Sequence, residues 1–201
     1  MFDWLLPDNH AVAILKKDHD KVKALFDQFE KEESRPGKNK IIQEAIEELK
    51  IHAILEEEIF YPAVRKQVGP DMMNEADEEH HVAKLLIGEL ESMTDRDDHR
   101  DAKFTVLSEN VRHHIQEEEN ELMPKAKSAD IDFERIGNEM LKRKQQLKTH
   151  GVPVAAEEKL MATNPNSDSP AAAAHRKPAR RTAKTVGKRT RTAAKKSKES
   201  R

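Results

Sequence analysis

Residues 52–62 read HAILEEEIFYP, and the same pattern returns 62 residues later as HIQEEENELMP over residues 114–124. Both copies contain a histidine, a glutamate four residues after it, a second glutamate beside that one, and a proline ten residues after the histidine. On an α-helix, residues four apart project from the same face one turn apart. Each copy therefore presents an imidazole and a carboxylate to one point, an arrangement that suits a metal ion.

Helical periodicity extends over residues 1–150, where apolar side chains recur every three or four positions and β-branched runs are absent. The pattern predicts five helices, and Pro62 is expected to kink the second or to end its regular part. Four long helices with short links predict an all-α fold, an up-down-up-down four-helix bundle with an additional C-terminal helix packed outside it. The predicted helices span approximately residues 9–33, 38–67, 69–93, 98–124 and 131–150.

The periodicity ends near Gly151, and the charge changes with it. Residues 171–201 carry twelve Lys or Arg against one acidic residue, whereas the whole chain has a net charge of −2. An acidic body is thus joined to a basic end. We expect a bundle over 1–150, a flexible linker over 151–174 and a disordered basic tail over 175–201. A segment with so few large apolar side chains cannot offset its ordering entropy by burial.

Several classes of protein are excluded by composition. The absence of cysteine rules out disulfides, thiolate metal sites, iron–sulfur clusters and a cysteine nucleophile. No apolar run is long enough to span a membrane, and residues 1–8 lack the features of a signal peptide. We therefore expect a cytoplasmic protein.

Each long helix of the predicted bundle has one histidine in the middle of its apolar stripe. The second and fourth helices add a glutamate one turn later. The histidines of the first two helices are 33 residues apart and those of the next two are 34 apart, which predicts two related hairpins about a pseudo-twofold axis. The six residues are His19, His52, Glu56, His80, His114 and Glu118.

Energetics favour a metal centre for this set. Burying an unpaired carboxylate costs several kcal/mol, and two of them would use most of a stability margin of roughly 5–15 kcal/mol. Four imidazoles and two carboxylates fit two cations, each with two imidazoles and with the carboxylates bridging. These donors suit iron, manganese or zinc rather than calcium or magnesium. The alternative is that the histidines are ordinary core residues satisfied by hydrogen bonds. It is disfavoured because all four lie at matching depths in the predicted bundle.

The complete pattern resembles the hemerythrin-like HHE cation-binding domains over about residues 9–150. The strings DHDKV at 18–22 and EEIFYP at 57–62 are also similar to that family. The resemblance implies a four-helix bundle with a non-haem di-iron centre, and it disfavours manganese and zinc. It also implies that one iron is held mainly by His19 and His52, the other by His80 and His114, and that Glu56 and Glu118 bridge them.

Two positions differ from the oxygen carriers of that family. The carriers have an additional histidine one turn after the third-helix ligand, where this chain has Lys84. Their last bridging carboxylate is an aspartate five residues after its histidine, whereas Glu118 of this chain lies four residues after His114. The chain is more similar to the bacterial hemerythrin-like proteins. This similarity implies that the centre binds or reacts with a small ligand, O2, NO or peroxide, and that the protein serves in sensing, detoxification or iron homeostasis. Binding or sensing is favoured, and a peroxide- or NO-reactive enzyme activity stays open.

Other side chains are expected near the centre without being part of it. Tyr61 is a candidate hydrogen-bond donor or ligand near the metals, and ordinary packing in the core is the alternative. His81 and His113 adjoin ligand histidines but point about 100° away, so they are predicted to contact the ligands or, alternatively, to replace them. The remaining acidic residues of the repeat are expected on solvated helix faces; they are Glu57, Glu58, Glu117 and Glu119.

The basic tail resembles the Lys/Ala/Pro/Thr tails of linker-histone-like proteins and has no aromatic residue. Binding of nucleic acid would therefore be phosphate-driven, non-specific and salt-sensitive. The alternative function is a nucleic-acid-associated protein whose bundle serves as an iron buffer or redox switch; docking of the tail on the acidic body is also open. The candidate residues are Arg176, Lys177, Arg180, Arg181, Lys184, Lys188, Arg189, Arg191, Lys195, Lys196 and Lys198.

Overall fold

A computed structural model describes residues 6–128 and 130–152 of the 201-residue chain. All regular structure in these ranges is helical, which confirms the all-α prediction. No helix of the described part has the length and hydropathy needed to cross a membrane. The expectations for most of the linker and for the basic tail over 175–201 lie outside the described residues.

The helices follow the predicted order, and their ends agree with the prediction to within three residues. The second and fourth predicted helices are each interrupted by one π-helical turn, so that each divides into two α-helical parts. The helices are α1 (Ala11–Lys31), α2 (Arg35–Leu55), α3 (Tyr61–Val68), α4 (Pro70–Ser92), α5 (Arg100–Glu117), α6 (Met123–Lys127) and α7 (Phe133–His150), and the π-turns are Glu56–Phe60 and Glu118–Leu122.

Local sequence signals define the helix ends. The Ser34 side chain accepts a hydrogen bond from the Gly37 N–H at 3.2 Å and caps α2. The Asp132 carboxylate caps α7 by accepting from the Arg135 N–H at 2.9 Å. Gly69 joins α3 to α4 with a φ of 97°, a left-handed conformation that glycine adopts without strain. These caps keep the connections short, so consecutive long helices are antiparallel.

The bundle consists of two helical hairpins, α1 with α2 and α4 with α5, and α7 packs against α1 and α2. Its apolar core is divided into two clusters. One surrounds Leu15, Tyr61 and Met73, and the other surrounds Phe26 and Phe104. The repeated histidines occupy the level between the clusters, so apolar layers enclose them from both ends.

Both π-turns begin at the glutamate of the repeat. The Tyr61 N–H donates to the Glu56 carbonyl, five residues back, and the Met123 N–H donates to the Glu118 carbonyl in the same way. Each prolyl residue follows directly and has no N–H to donate. The helix therefore does not end at Pro62 but accommodates one extra residue in the turn before it, a distortion common at functional sites.

Gly137 is required by a close backbone contact between α7 and the start of α1. A Cβ atom at this position would lie 1.9 Å from the Asn9 carbonyl oxygen and 2.9 Å from the Ala11 nitrogen. We expect Gly137→Ala to lower the free energy of unfolding by about 1–3 kcal/mol, since α7 must move away from α1. Urea denaturation followed by circular dichroism measures this difference.

The matched control is Gly37→Ala. There an added Cβ would meet the Glu32 side chain, which can rotate away. Equal destabilisation by the two variants would show that the close approach of α7 is not the cause.

Candidate metal centre

The six residues of the predicted metal site meet in the middle of the bundle. The Nε2 atoms of His19 and His52 lie 3.2 Å apart, and those of His80 and His114 are also 3.2 Å apart. Every one of the six side chains is buried. Donor atoms of His19, His52, Glu56 and Glu118 lie within 4.8 Å of one another, as do those of Glu56, His80 and His114. The arrangement therefore offers two neighbouring cation sites.

The two glutamates are not equivalent. Glu56 Oε2 lies 3.1 Å from His52 Nε2 and 3.2 Å from His80 Nε2, so this carboxylate stands between the histidine pairs. Glu118 Oε2 lies 3.1 Å from His19 Nε2 and belongs to the first group alone. The sequence predicts two bridging carboxylates; the geometry places only Glu56 between both pairs.

Tyr61 lies beside the second group. Its Oη atom is 3.2 Å from His80 Nε2, and its side chain is fully buried. The equivalent position of the second repeat is Met123, which has no oxygen donor. The first group thus has a second carboxylate, and the second group has a phenol instead.

Each ligand histidine has a carboxylate on its other ring nitrogen. In the neutral tautomer that donates from Nδ1, the Nε2 lone pair is directed to the centre. Three of these contacts have hydrogen-bond length and the fourth is longer. The Nδ1–oxygen distances are 2.9 Å for His19–Glu119, 2.9 Å for His80–Glu57, 2.7 Å for His114–Glu79 and 3.9 Å for His52–Asp18.

The prediction that Glu57 and Glu119 face solvent is wrong. Both are only partly exposed and accept from ligand histidines. Helical geometry at 100° per residue turns them away from the centre, and in the folded protein they reach the Nδ1 atoms of histidines on other helices. Sequence reasoning missed Asp18 and Glu79 as well, although each directly precedes a ligand histidine.

The other predicted neighbours remain outside the centre. His113 is 63% exposed, and its Nε2 atom lies 3.2 Å from Glu117 Oε1. Neither His81 nor His113 belongs to the two groups around Glu56. Glu58 forms an ion pair with Arg143 of α7, with 2.9 Å between Oε2 and Nε.

Lysines form ion pairs with carboxylates on the Nδ1 side of the histidines. Lys84, one turn after His80, is buried with its Nζ atom 2.5 Å from Glu57 Oε1. Lys23, one turn after His19, lies 3.3 Å from Glu119 Oε1. Two of the carboxylates that orient the histidines, Glu57 and Glu119, are therefore paired with lysines.

Neighbouring carboxylates favour the protonated form of two histidines of the centre. Burial lowers the pKa of His52, but the Glu56 carboxylate outweighs it and raises this pKa to about 10. Burial likewise opposes protonation of His80, while Glu56 and Glu57 raise its pKa to about 9. No described residue donates a hydrogen bond of good geometry to any carboxylate oxygen of Glu56 or Glu118. Buried acceptors of this kind require cations or protons, and the residues present fit a metal.

A cavity of about 90 Å³ adjoins the histidines. Its walls include all four histidines, Lys84 and apolar side chains such as Val22, Ile87 and Val111, whereas Glu56 and Glu118 are not among them. The volume accommodates a molecule of a few heavy atoms. A small ligand could thus reach the histidine side of the centre in apolar surroundings.

The chain belongs to the family of the hemerythrin HHE cation binding domain, whose model matches residues 10–126. Among solved structures, the fold is similar to a hemerythrin HHE cation binding domain-containing protein from Mycobacterium kansasii. The TM-score is 0.60 at 22% identity, and the match covers 75% of this chain and 98% of the other. Comparison with curated proteins gave no match. The family resemblance inferred from the sequence is confirmed.

Proposed function

We propose that this protein is a non-haem di-iron protein whose centre binds or reacts with O2, NO or peroxide. The observation that carries the proposal is the convergence of four imidazole Nε2 atoms on two buried carboxylates that receive no hydrogen bond of good geometry from the described residues. Imidazole and carboxylate donors suit iron, manganese and zinc, and membership of the hemerythrin family favours iron. Sensing, detoxification and iron homeostasis are the roles that such a centre serves.

The protein's part is to hold the donors and to control access. His19, His52 and Glu118 would hold one iron, His80, His114 and Tyr61 the other, and Glu56 would lie between them. Bound iron would supply the coordination and redox chemistry. The carboxylates on the Nδ1 side fix the imidazole orientation and increase its basicity. The apolar cavity limits access of water to the histidine side.

Metal analysis with visible spectroscopy tests the proposal. Protein purified anaerobically should contain about two irons per chain and should develop charge-transfer absorption when air or peroxide is admitted. Zinc in the centre would contradict the redox function. A metal-free protein whose melting temperature does not change on adding Fe²⁺ would contradict the metal centre itself.

Lys84 should determine the charge preference of the ligand. Its ammonium group lines the cavity, at the position where the oxygen carriers have a histidine. A buried positive charge stabilises an anion in the cavity more than a neutral ligand. We expect Lys84→Met to weaken azide binding about 10-fold, equivalent to about 1.4 kcal/mol, and to change NO binding little. Spectroscopic titration of the iron-loaded protein measures both affinities.

Lys23→Met is the matched control, because Lys23 pairs with the equivalent Glu119 but is not part of the cavity wall. It should leave azide affinity unchanged. An equal effect of the two substitutions would point to a general loss of positive charge.

A second candidate function, binding of nucleic acid through the tail, is supported by the twelve Lys or Arg among residues 171–201. Retention on DNA should fall steeply with salt. A chain that ends at Ala162 should keep its metal and lose DNA binding. Equal DNA binding by the full and shortened chains would reject this function.

A further inference from the structure

A second cavity, of about 110 Å³, also reaches the centre and shares Glu79 and His114 with the histidine-lined one. Its outer residues are acidic, Glu75, Glu79, Glu117 and Glu121, and it also touches His114 and Glu118 of the centre. Glu75 and Glu121 are exposed, whereas Glu118 is buried. The cavity thus connects an acidic surface with one of the predicted metal-binding carboxylates.

The inner end of this cavity contains an unsatisfied acceptor. Glu118 is only 2% exposed, and neither of its carboxylate oxygens receives a hydrogen bond of good geometry from the described residues. A buried carboxylate in this state attracts a cation strongly. A cation that entered the cavity would meet this carboxylate together with His114.

A third set of cation donors lies beside the cavity, and two of its members, Glu79 and Glu117, are part of the cavity wall. His113 Nε2 lies 3.2 Å from Glu117 Oε1 and 3.9 Å from Glu79 Oε1, and donor atoms of the three residues all lie within 4.8 Å of one another. His113 is 63% exposed, Glu117 38% and Glu79 15%, so the set is accessible to solvent. We name it the mouth cluster. One imidazole and two carboxylates are suitable donors for a divalent transition metal.

Glu79 links the mouth cluster to the centre. Its Oε2 atom accepts from His114 Nδ1 at 2.7 Å, while Oε1 faces His113. One carboxylate therefore contacts both a surface histidine and a histidine of the centre. Between Glu79 and Glu118 the cavity provides successive oxygen donors, so a cation would keep oxygen ligands as it moves inward.

The mouth cluster is not a consequence of the sequence repeat. The positions equivalent to His113 and Glu117 in the first repeat are Ile51 and Leu55, which are buried and apolar. The counterpart of Glu79 is Asp18, and there Lys144 of α7 forms an ion pair with it. Among the described residues, α7 thus covers the first hairpin at the place where the second hairpin is open.

We propose that the mouth cluster is a loading site for divalent metal ions and that the cavity behind it is their route to the centre. This inference rests on the proposed metal centre. The acidic side chains at the entrance raise the local concentration of cations, although Lys125, whose Nζ lies 3.9 Å from Met72 Sδ at the rim, offsets part of this charge. Carboxylate and imidazole donors then replace part of the hydration shell before the ion moves inward.

Stopped-flow incorporation of Co²⁺ into the metal-free full-length chain tests the route. The double variant His113→Ala/Glu117→Gln should incorporate Co²⁺ about 10-fold more slowly than the unaltered chain, as expected when electrostatic guidance and a first binding site are lost. The final Co²⁺ content and the visible Co²⁺ spectrum should be unchanged, because the six residues of the centre are intact. Retention of that spectrum also shows that the variant is folded.

The matched control is Glu78→Gln/His99→Ala, which removes the same residue types at exposed positions outside the mouth cluster. It should load at the unaltered rate. Wild-type loading by the mouth-cluster variant, or equal slowing of the two double variants, would overturn the route. Failure of the unaltered chain to take up Co²⁺ would instead reject the metal centre, and the route with it.

Discussion

Replacing Glu56 by alanine is expected to abolish binding of both metal ions, whereas Glu118→Ala should remove only the ion next to His19 and His52. The difference follows from geometry, since Glu56 Oε2 lies 3.1 Å from His52 and 3.2 Å from His80, whereas Glu118 Oε2 is close to His19 alone among the four histidines. Metal analysis after dialysis should give almost no metal for the first variant and about one ion per chain for the second.

Thermal stability should change in parallel. A ligand present at about 1,000 times its Kd stabilises a folded protein by roughly 4 kcal/mol, so addition of metal should raise the melting temperature of the unaltered chain and leave that of Glu56→Ala unchanged. Glu58→Ala is the control, because Glu58 pairs with Arg143 outside the centre. Equal metal loss in Glu56→Ala and Glu118→Ala would refute the shared position of Glu56.

The second large effect is expected at Tyr61. Its phenol lies 3.2 Å from His80 Nε2, beside the group that lacks a second glutamate. Burial raises the pKa of Tyr61 well above its usual value, and the Glu118 and Glu56 charges raise it further, so the phenol stays protonated without a metal. Ferric iron would stabilise the phenolate and produce an intense visible band. Tyr61→Phe should eliminate this band while most of the iron is retained.

The assignment is unambiguous because Tyr61 is the single tyrosine of the chain. Iron release to a chelator should also become about 10-fold faster, as is typical when a contact that supports a metal site is removed. Persistence of the band in Tyr61→Phe would show that the phenol does not bind iron.

The sequence predicts the helices and the composition of the centre well, because both depend on local spacing. His52 and Glu56 are one turn apart on any helix, and the repeat at His114 and Glu118 makes coincidence improbable. Burial of these polar groups is costly unless their charge and hydrogen-bonding capacity are satisfied, and a metal ion is the simplest way to satisfy them. Fold and family follow from the same residues.

Features that depend on packing between helices were not predictable. The difference between Glu56 and Glu118 arises from how the two hairpins are placed against each other, and identical local motifs contain no information about it. The contacts of Glu79 and Asp18 with histidines of other helices are likewise long-range. The contact of Glu57 with His80 also joins two helices that are separate in the sequence.

The π-turns also determine how this sequence can be aligned or redesigned. Each contains one residue more than an α-helical turn, so every later side chain lies about one residue, or 100°, behind its position in an uninterrupted helix. Deleting Glu58 would remove the extra residue and keep Tyr61 beside His80, whereas a regular α-helix of unchanged length would rotate Tyr61 by about 100°, away from His80. A heptad count carried through residue 56 without this correction assigns the wrong inward face to α3. The extra residue acts as a phase shift that lets one continuous helix supply a carboxylate and a phenol to the same interior.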